Sequence, residues 1–304
     1  MSPKRWLVAR HGLAVATLLA VLACLSPSLP AATPSGAEAL LDDEGNTVAL
    51  AMPAARIVSL SPGATAMLFA AGAGSHVVGT SAYSDEPAAA QAIERVGDAQ
   101  SLDLERILAL APDVVVVWGG GTSQAQLARL ERVGLRLYRH RVTRLDDLAA
   151  SLVRFGRLAG TEATAQASAA ALTQRIERLR RRYASPDGAS VLIQVWDHPI
   201  YTVGGAELMS DVVQACGLHN VFADLNQAGP AVTLESVLAR DPQVILALAP
   251  DRSSARSWLA AWQHYGSLQA VRNARLISWT DERLSRLGPS VVDAAEDLCR
   301  VLRP

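Results

Sequence analysis

Histidine is scarce in this 304-residue chain, with 6 copies, and cysteine scarcer still, with 3. No stretch gathers His, Cys and carboxylates at the spacing of a dedicated metal site, so any metal would arrive inside a chelate. Signatures of catalysis are missing as well. There is no H-E-x-x-H, no G-x-S-x-G nucleophile elbow and no P-loop Lys-Ser/Thr. Gly119-Gly120-Gly121-Thr122-Ser123 resembles a phosphate cradle at a helix start, but G-x-G-x-x-G spacing fails at Gln124. These absences make an enzyme a remote alternative, beside a purely structural protein, and give no sign of a cofactor of its own.

Strong charge of either sign is also absent. The formal net charge is -1 at pH 7, which argues against nucleic acid as a partner, because phosphate neutralisation demands clustered Lys and Arg. Aromatic residues make up only 5% while half the chain is apolar, so the core is aliphatic and large. The only sustained apolar run lies near the start, Leu13 to Leu22, behind Lys4, Arg5 and Arg10. It is too short to span a bilayer and reads as a secretory leader over residues 1–23. Val21-Leu22-Ala23-Cys24 resembles a lipobox, which would make Cys24 a lipidated first residue. The alternative is an ordinary cut near Ala31 or Ala32. The expected location is periplasmic, with the mature chain soluble or tethered only by lipid. In that oxidising compartment Cys216 and Cys299 are expected to pair, the alternative being two separately buried thiols.

Residues 24–40 read as a Pro/Ser/Ala-rich tether. Two short strands flank the turn in Leu41-Asp-Asp-Glu-Gly-Asn-Thr-Val48. Strands over Arg56–Leu60, Val77–Thr80, Asp113–Trp118 and Leu135–Arg139 then alternate with helices over Pro62–Ala71, Leu104–Leu110 and Ser123–Val133. This spacing predicts a parallel sheet covered on both faces, an α/β lobe over 41–142. From Thr143 to Tyr183 almost nothing but helix formers appears, with Leu148, Leu152, Phe155, Leu158, Leu172, Ile176 and Leu179 in helical register, and the bridging segment is taken as 143–184. The segment is one long helix or a bent pair broken at Gly160-Thr161. Alternation resumes over 185–304, with strands at Ser190–Trp196, Val244–Leu248 and Arg275–Trp279. Helices are expected at Leu208–Cys216, Leu234–Ala239, Trp258–Tyr265 and Pro289–Leu302. An internal repeat aligns Asp103-Leu-Glu-Arg-Ile-Leu-Ala-Leu-Ala-Pro-Asp-Val-Val-Val with Thr233-Leu-Glu-Ser-Val-Leu-Ala-Arg-Asp-Pro-Gln-Val-Ile-Leu. Each reads as an N-cap, a two-turn helix, a proline stop and a buried strand.

With these residues in place, the chain resembles the helical-backbone periplasmic binding proteins that serve importers of cobalamin, haem and ferric siderophores. The carriers are DDEGNTVAL, RIVSLSPGATAMLFAAG, YSDEP from Tyr83 to Pro87 and LERILALAPDVVVVWGGG. YTVGG from Tyr201, CGLHNVFAD from Cys216, TLESVLARDPQVIL and the terminal EDLCRVL complete the set. YSDEP, the Trp closing the first-lobe strand and the Cys216/Cys299 placement look most like the cobalamin-binding branch. The resemblance implies two α/β lobes, each with a central parallel sheet, bridged by a long rigid helix. Ligand would sit between the lobes of a monomer that delivers it to an ABC permease dimer. It also implies that Glu105 and Glu235 dock into basic permease pockets, although a first-turn carboxylate also stabilises its own helix by a few tenths of a kcal/mol.

Binding crevices of parallel sheets lie beyond strand carboxyl ends. Tyr83, Trp118, Trp196 and Tyr201 fit that rule, and aromatic faces suit a flat macrocycle such as a corrinoid. Each is alternatively a core or rim aromatic. Arg283 and Arg286 would hold a ligand anion, unless Asp281 and Glu282 neutralise them. His198 is a weaker candidate metal ligand. The stretches 97–100 and 228–231 lack the tryptophans that the cobalamin branch carries there. Another corrinoid, haem or a siderophore therefore stays open as cargo.

Overall fold

The computed structural model describes residues 40–49, 53–98 and 100–303. The expected leader, Cys24 and the tether as far as residue 39 lie outside the described residues. A hairpin comes first: β1 (Leu40–Leu41) pairs antiparallel with β2 (Thr47–Val48). Leu40 is already in this pairing, one residue ahead of the expected lobe boundary.

The N-terminal lobe follows as β3 (Ile57–Ser59), α1 (Pro62–Ala70), β4 (Val77–Thr80), α2 (Leu104–Ala109), β5 (Val114–Trp118), α3 (Gln124–Arg132) and β6 (Leu137–His140). Local chemistry starts each helix. Ser61 accepts from Ala64 N ahead of Pro62, Asp103 accepts from Arg106 N, and Ser123 forms a capping box with Gln126. All four strands are parallel, and β5 is buried from Val114 through Val117 because helices cover both faces.

Two helices come next, α4 (Leu145–Ala159) and α5 (Glu162–Tyr183), separated at Gly160 with φ 70°. The bent-pair reading holds, and the bend is a full reversal. Arg180, near the end of α5, pairs at 2.9 Å with Asp146 at the start of α4, so the two run antiparallel. At 22 residues, α5 is about 33 Å long and spans from one lobe to the other. Its start is tied to the N-terminal lobe by Thr161 Oγ1 to Ala71 O (2.7 Å) and Ser168 Oγ to Ala70 O (2.8 Å).

The C-terminal lobe contains β7 (Ser190–Gln194), β8 (Ile200–Tyr201), α6 (Leu208–Ala215), β9 (His219–Asn220), β10 (Ala231–Val232) and α7 (Leu234–Arg240). It ends with β11 (Val244–Leu248), α8 (Arg252–Trp262), α9 (Gln269–Arg272), β12 (Leu276–Trp279) and α10 (Ser290–Leu302). The far end of α5 is tied here by Arg175 to Asp293 (2.6 Å) and Glu296 (3.1 Å) of α10, and by Arg180 to Asp211 (3.2 Å) of α6. Buried Asp211 also accepts from Leu145 N at 2.8 Å, so one carboxylate joins the C-terminal lobe to both helices. One apolar cluster runs from Leu40 through Leu172, Ile176 and Leu179 to Leu302, and smaller ones cover the outer faces of the sheets. Stiffness between the lobes follows from that shared core.

The internal repeat is a repeat of topology. The sheet orders are β4-β3-β5-β6 and β12-β11-β7-β9. Counted along each lobe, both place the second strand beside the first, the first beside the third and the third beside the fourth. The two copies of the repeated motif are α2–β5 and α7–β11, which occupy the same place in their lobes.

Two expectations need adjustment, and four short elements are added. Helix α8 begins at Arg252, six residues before Trp258, because Asp251 caps it through Ser253 N and Ser254 N. The strand expected to reach Trp196 stops at Gln194, leaving Trp196 in a bridge to Tyr201. The two-residue strands β8, β9 and β10 and the single turn α9 are too short to show any periodicity. The cysteine alternative is decided: Cys216 and Cys299 form a disulfide across 83 residues, clipping the end of α6 to α10.

The lobes touch again away from the helices. Gly63, in the first turn of α1, lies so close to the loop before α10 that a Cβ would stand 1.9 Å from the Arg286 carbonyl oxygen. Beside it, Ser290 Oγ donates to Glu86 Oε2 at 3.0 Å.

Candidate ligand cleft

A cavity of about 640 Å³ lies between the lobes, a size typical of small-molecule sites. Its walls are strand carboxyl ends and the residues just past them. From the N-terminal lobe come Trp118, Gly119 and Gly120 after β5, and Arg141, Val142 and Thr143 after β6. From the C-terminal lobe come Trp196 after β7, Leu248 to Pro250 at β11, and Trp279 to Glu282 at β12. In both sheets the chain reverses its direction of strand addition between the first and third strands, and that is where a crevice opens. Trp118 and Trp196 each stand at such a point.

Both indoles are unusually open to solvent, Trp118 at 43% and Trp196 at 51%. Large apolar side chains held out of the core at a cleft mark a binding surface. The conformation of Trp118 depends on its glycine run, because a Cβ at Gly121 would fall 2.1 Å from the Trp118 ring. Trp196 is braced edge-on by buried Trp258, with ring centroids 6.1 Å apart. Trp279, with a buried indole N–H that has no partner among the described residues, adds a third indole to the wall.

The polar groups are few. Arg141 from the N-terminal lobe and Glu207 from the C-terminal lobe both line the cavity. Burial raises the Glu207 carboxyl above its ordinary value, and the charge of Arg141 acts against that rise. Asp281 is held below the usual carboxylate range, chiefly by Arg283.

A buried carboxylate fixes the position of Arg141. Asp43, in the turn after β1, accepts from Tyr138 Oη (2.6 Å), Arg154 Nε (2.6 Å), Ser151 Oγ (3.0 Å) and the Arg141 backbone N (3.0 Å). Its fifth partner is His140 Nδ1 at 2.7 Å. Burial would raise this acid, but the bonds from His140 and Tyr138 and the charge of Arg154 hold it down at about 2. The hairpin therefore pins the end of β6 and one wall of the cleft.

The other candidates sit elsewhere. Tyr83 is 74% exposed with φ 64°, in the loop after β4 at the carboxyl edge of the N-terminal sheet, and does not line the cavity. Tyr201 lies on β8, partly exposed and outside the lining. Arg283 and Arg286 are engaged internally: Arg283 binds Asp281 (2.9 Å) and Asp297 (2.8 Å), and Arg286 binds Glu282 (3.0 Å). The neutralisation considered from the sequence is thus the observed arrangement. His198 is 88% exposed and pairs with Asp197 at 3.0 Å. Among the described residues, no group of three or more His, Cys, Asp or Glu is placed to hold a metal. Trp279 was missed, yet it ends its strand as Trp118 does, and the same carboxyl-end rule would have found it.

Glu105 and Glu235 are both exposed at the second position of α2 and α7. A helix between parallel strands runs antiparallel to them, so its first turn lies at the carboxyl edge of the sheet. The two carboxylates therefore stand at equivalent places on the cleft-side rim of the two lobes.

Comparison with known proteins agrees with this geometry. A family model described as "Periplasmic binding protein" matches residues 57–283. This chain is a periplasmic binding protein. The "Vitamin B12-binding protein" of Vibrio cholerae serotype O1 is 34% identical over 251 residues, which is 83% of this chain and 90% of that relative. The crystal structure of the periplasmic vitamin B12-binding protein of Vibrio cholerae matches with a TM-score of 0.72 at 34% identity. That match covers 83% of this chain and 97% of the other. The periplasmic haem-binding protein of Vibrio cholerae shares the fold, with a TM-score of 0.67 at 20% identity over 82% of this chain and 99% of the other. The relatives are solute-binding proteins, and this periplasmic protein has their two-lobed architecture with a cleft between the lobes.

Proposed function

We propose that this periplasmic binding protein captures cobalamin or a related corrinoid between its lobes and delivers it to the permease dimer of an ABC importer. The observation that carries the reading is the cleft walled by Trp118, Trp196 and Trp279. A flat, largely apolar macrocycle gains from burial against such faces, and each good ring contact is worth about 1 kcal/mol beyond area. The 34% identity to vitamin B12-binding relatives supports the same cargo. The protein acts as a monomer, and its metal comes with the chelate as substrate. Tyr83 and Tyr201 are assigned to the rim of the site, and Arg283 and Arg286 to holding its acidic residues in place. Glu105 and Glu235 are assigned to permease docking, and Cys24 to lipid attachment.

The test is titration of the mature protein with cyanocobalamin, cobinamide, haemin and a ferric siderophore, read by tryptophan fluorescence and calorimetry. One-to-one binding of a corrinoid, weakened about tenfold or more by Trp118→Ala or Trp196→Ala, is the expected result. Haemin or siderophore bound in place of corrinoid would reassign the cargo. Binding of none of the four would refute the transport reading.

A further inference from the structure

A second hollow, of about 410 Å³, adjoins the cleft and shares Trp279, Thr280 and Asp281 with it. Its remaining lining is Arg252, Arg256 and Ser278. The two arginines stand one turn apart on α8, where like charges repel unless something anionic lies between them. Neither forms an ion pair with an acid among the described residues, although most arginines near the cleft do. Arg141 approaches Glu44, Arg283 binds Asp281 and Asp297, and Arg286 binds Glu282.

The nearby acids are already committed. Asp251 caps α8, accepting from Ser253 and Ser254 through both backbone and hydroxyl groups. Asp281 lines the hollow, but its carboxylate is taken up by Arg283 through Nε at 2.9 Å. That leaves two uncommitted guanidiniums, the hydroxyls of Ser278 and Thr280, and Trp279, which lines the cleft as well. Guanidinium pairs with hydroxyl donors are suited to tetrahedral or planar oxyanions, which they bind through two oxygens at once.

We propose that this annex is an anion subsite of the cleft, in which Arg252 and Arg256 hold the phosphodiester of a nucleotide-bearing corrinoid. The proposal rests on the corrinoid reading of the main cleft and adds a specificity to it. Macrocycles carrying a phosphate arm are preferred over the same ring without one. A free inorganic phosphate offers the same oxyanion chemistry, and the experiment separates the two sources.

The experiment compares cyanocobalamin, which carries the phosphodiester, with cobinamide, which lacks it, on the full mature chain. Wild-type protein is set against Arg252→Gln/Arg256→Gln. Arg181→Gln/Arg182→Gln serves as a charge-matched control at the end of α5, next to the opposite, amino edge of the C-terminal sheet. Loss of charge-assisted bonds predicts roughly tenfold to hundredfold weaker cyanocobalamin binding in the α8 double variant, unchanged cobinamide binding, and no effect in the control. Equal effects on both corrinoids, or none on either, would overturn the subsite. Inorganic phosphate is titrated in parallel. Competition with cyanocobalamin in the wild type but not with cobinamide supports the shared site, and equal competition with both counts against it. If wild-type protein binds neither corrinoid, the cargo reading fails by itself. The annex then stands or falls on phosphate binding alone: heat of binding in the wild type and none in the α8 variant keeps an oxyanion site, and identical traces remove it.

Discussion

Replacing Asp43 with asparagine tests how the cleft wall is held. The carboxylate receives five donors, from Tyr138, Arg154, His140, Ser151 and the Arg141 backbone. Asparagine keeps the shape but turns one acceptor oxygen into a donor, so two or three of those groups face an N–H. Hydroxyls can rotate away; Arg154 Nε, which bonds Oδ1, cannot, and neither can the Arg141 N–H, which bonds Oδ2 together with the His140 ring. One or two stranded donors at about 1–3 kcal/mol each, according to which oxygen the amide replaces, predict a loss of about 1–5 kcal/mol. The assay is urea unfolding followed by tryptophan fluorescence. At a slope of about 3 kcal/mol/M, a 3 kcal/mol loss moves the midpoint by about 1 M with the slope unchanged. A second signature is pH dependence. The folded acid titrates at about 2 against an ordinary value of 3.8, so its stabilisation, about 2 kcal/mol, is present above about pH 4 and lost as pH falls through about 2. The variant lacks that share of acid sensitivity. A midpoint shift worth less than about 1 kcal/mol, or an identical pH profile between pH 4 and 2, would refute the account of Asp43 as the pin of this wall.

Other consequences can be checked in the same way. Reducing Cys216–Cys299, or replacing both with serine, frees an 83-residue loop and costs about 4–5 kcal/mol in the chain-entropy account. A denaturation midpoint indifferent to reductant would contradict it. Gly63→Val forces a side chain into the Arg286 carbonyl and should separate the lobes at their second contact, lowering both stability and ligand affinity. Unchanged affinity would show that this contact does not set the width of the cleft. Glu105→Arg with Glu235→Arg should abolish uptake in cells while leaving ligand affinity intact, and undiminished uptake would remove both from the docking face. Gly121→Ala should displace the Trp118 indole and weaken binding about as much as Trp118→Ala, which fluorescence titration would decide.

The sequence by itself determined the class of fold, because local chemistry carried it. Periodicity in 104–118 and 234–248, with caps at Asp103 and Thr233, marks two copies of one helix–strand unit, and the lobes repeat one strand order. The bridge was visible because 143–183 contains no strand-forming run. Trp118 and Trp196 were reachable by the rule that crevices open beyond strand carboxyl ends.

Only the tertiary structure decided which charges were free. Arg283 and Arg286 resemble Arg252 and Arg256 in sequence, all four being arginines near acidic or hydroxyl neighbours. The first two are consumed by Asp281, Asp297 and Glu282, and one of those partners comes from a helix 14 residues away. Likewise Asp43 reads as an ordinary turn residue, yet it gathers donors from as far as Arg154, 111 positions along the chain. Helices and strands are specified by interactions within a few residues. Cleft electrostatics is specified by which distant side chains reach each other first, and that depends on how the two lobes pack against α4 and α5.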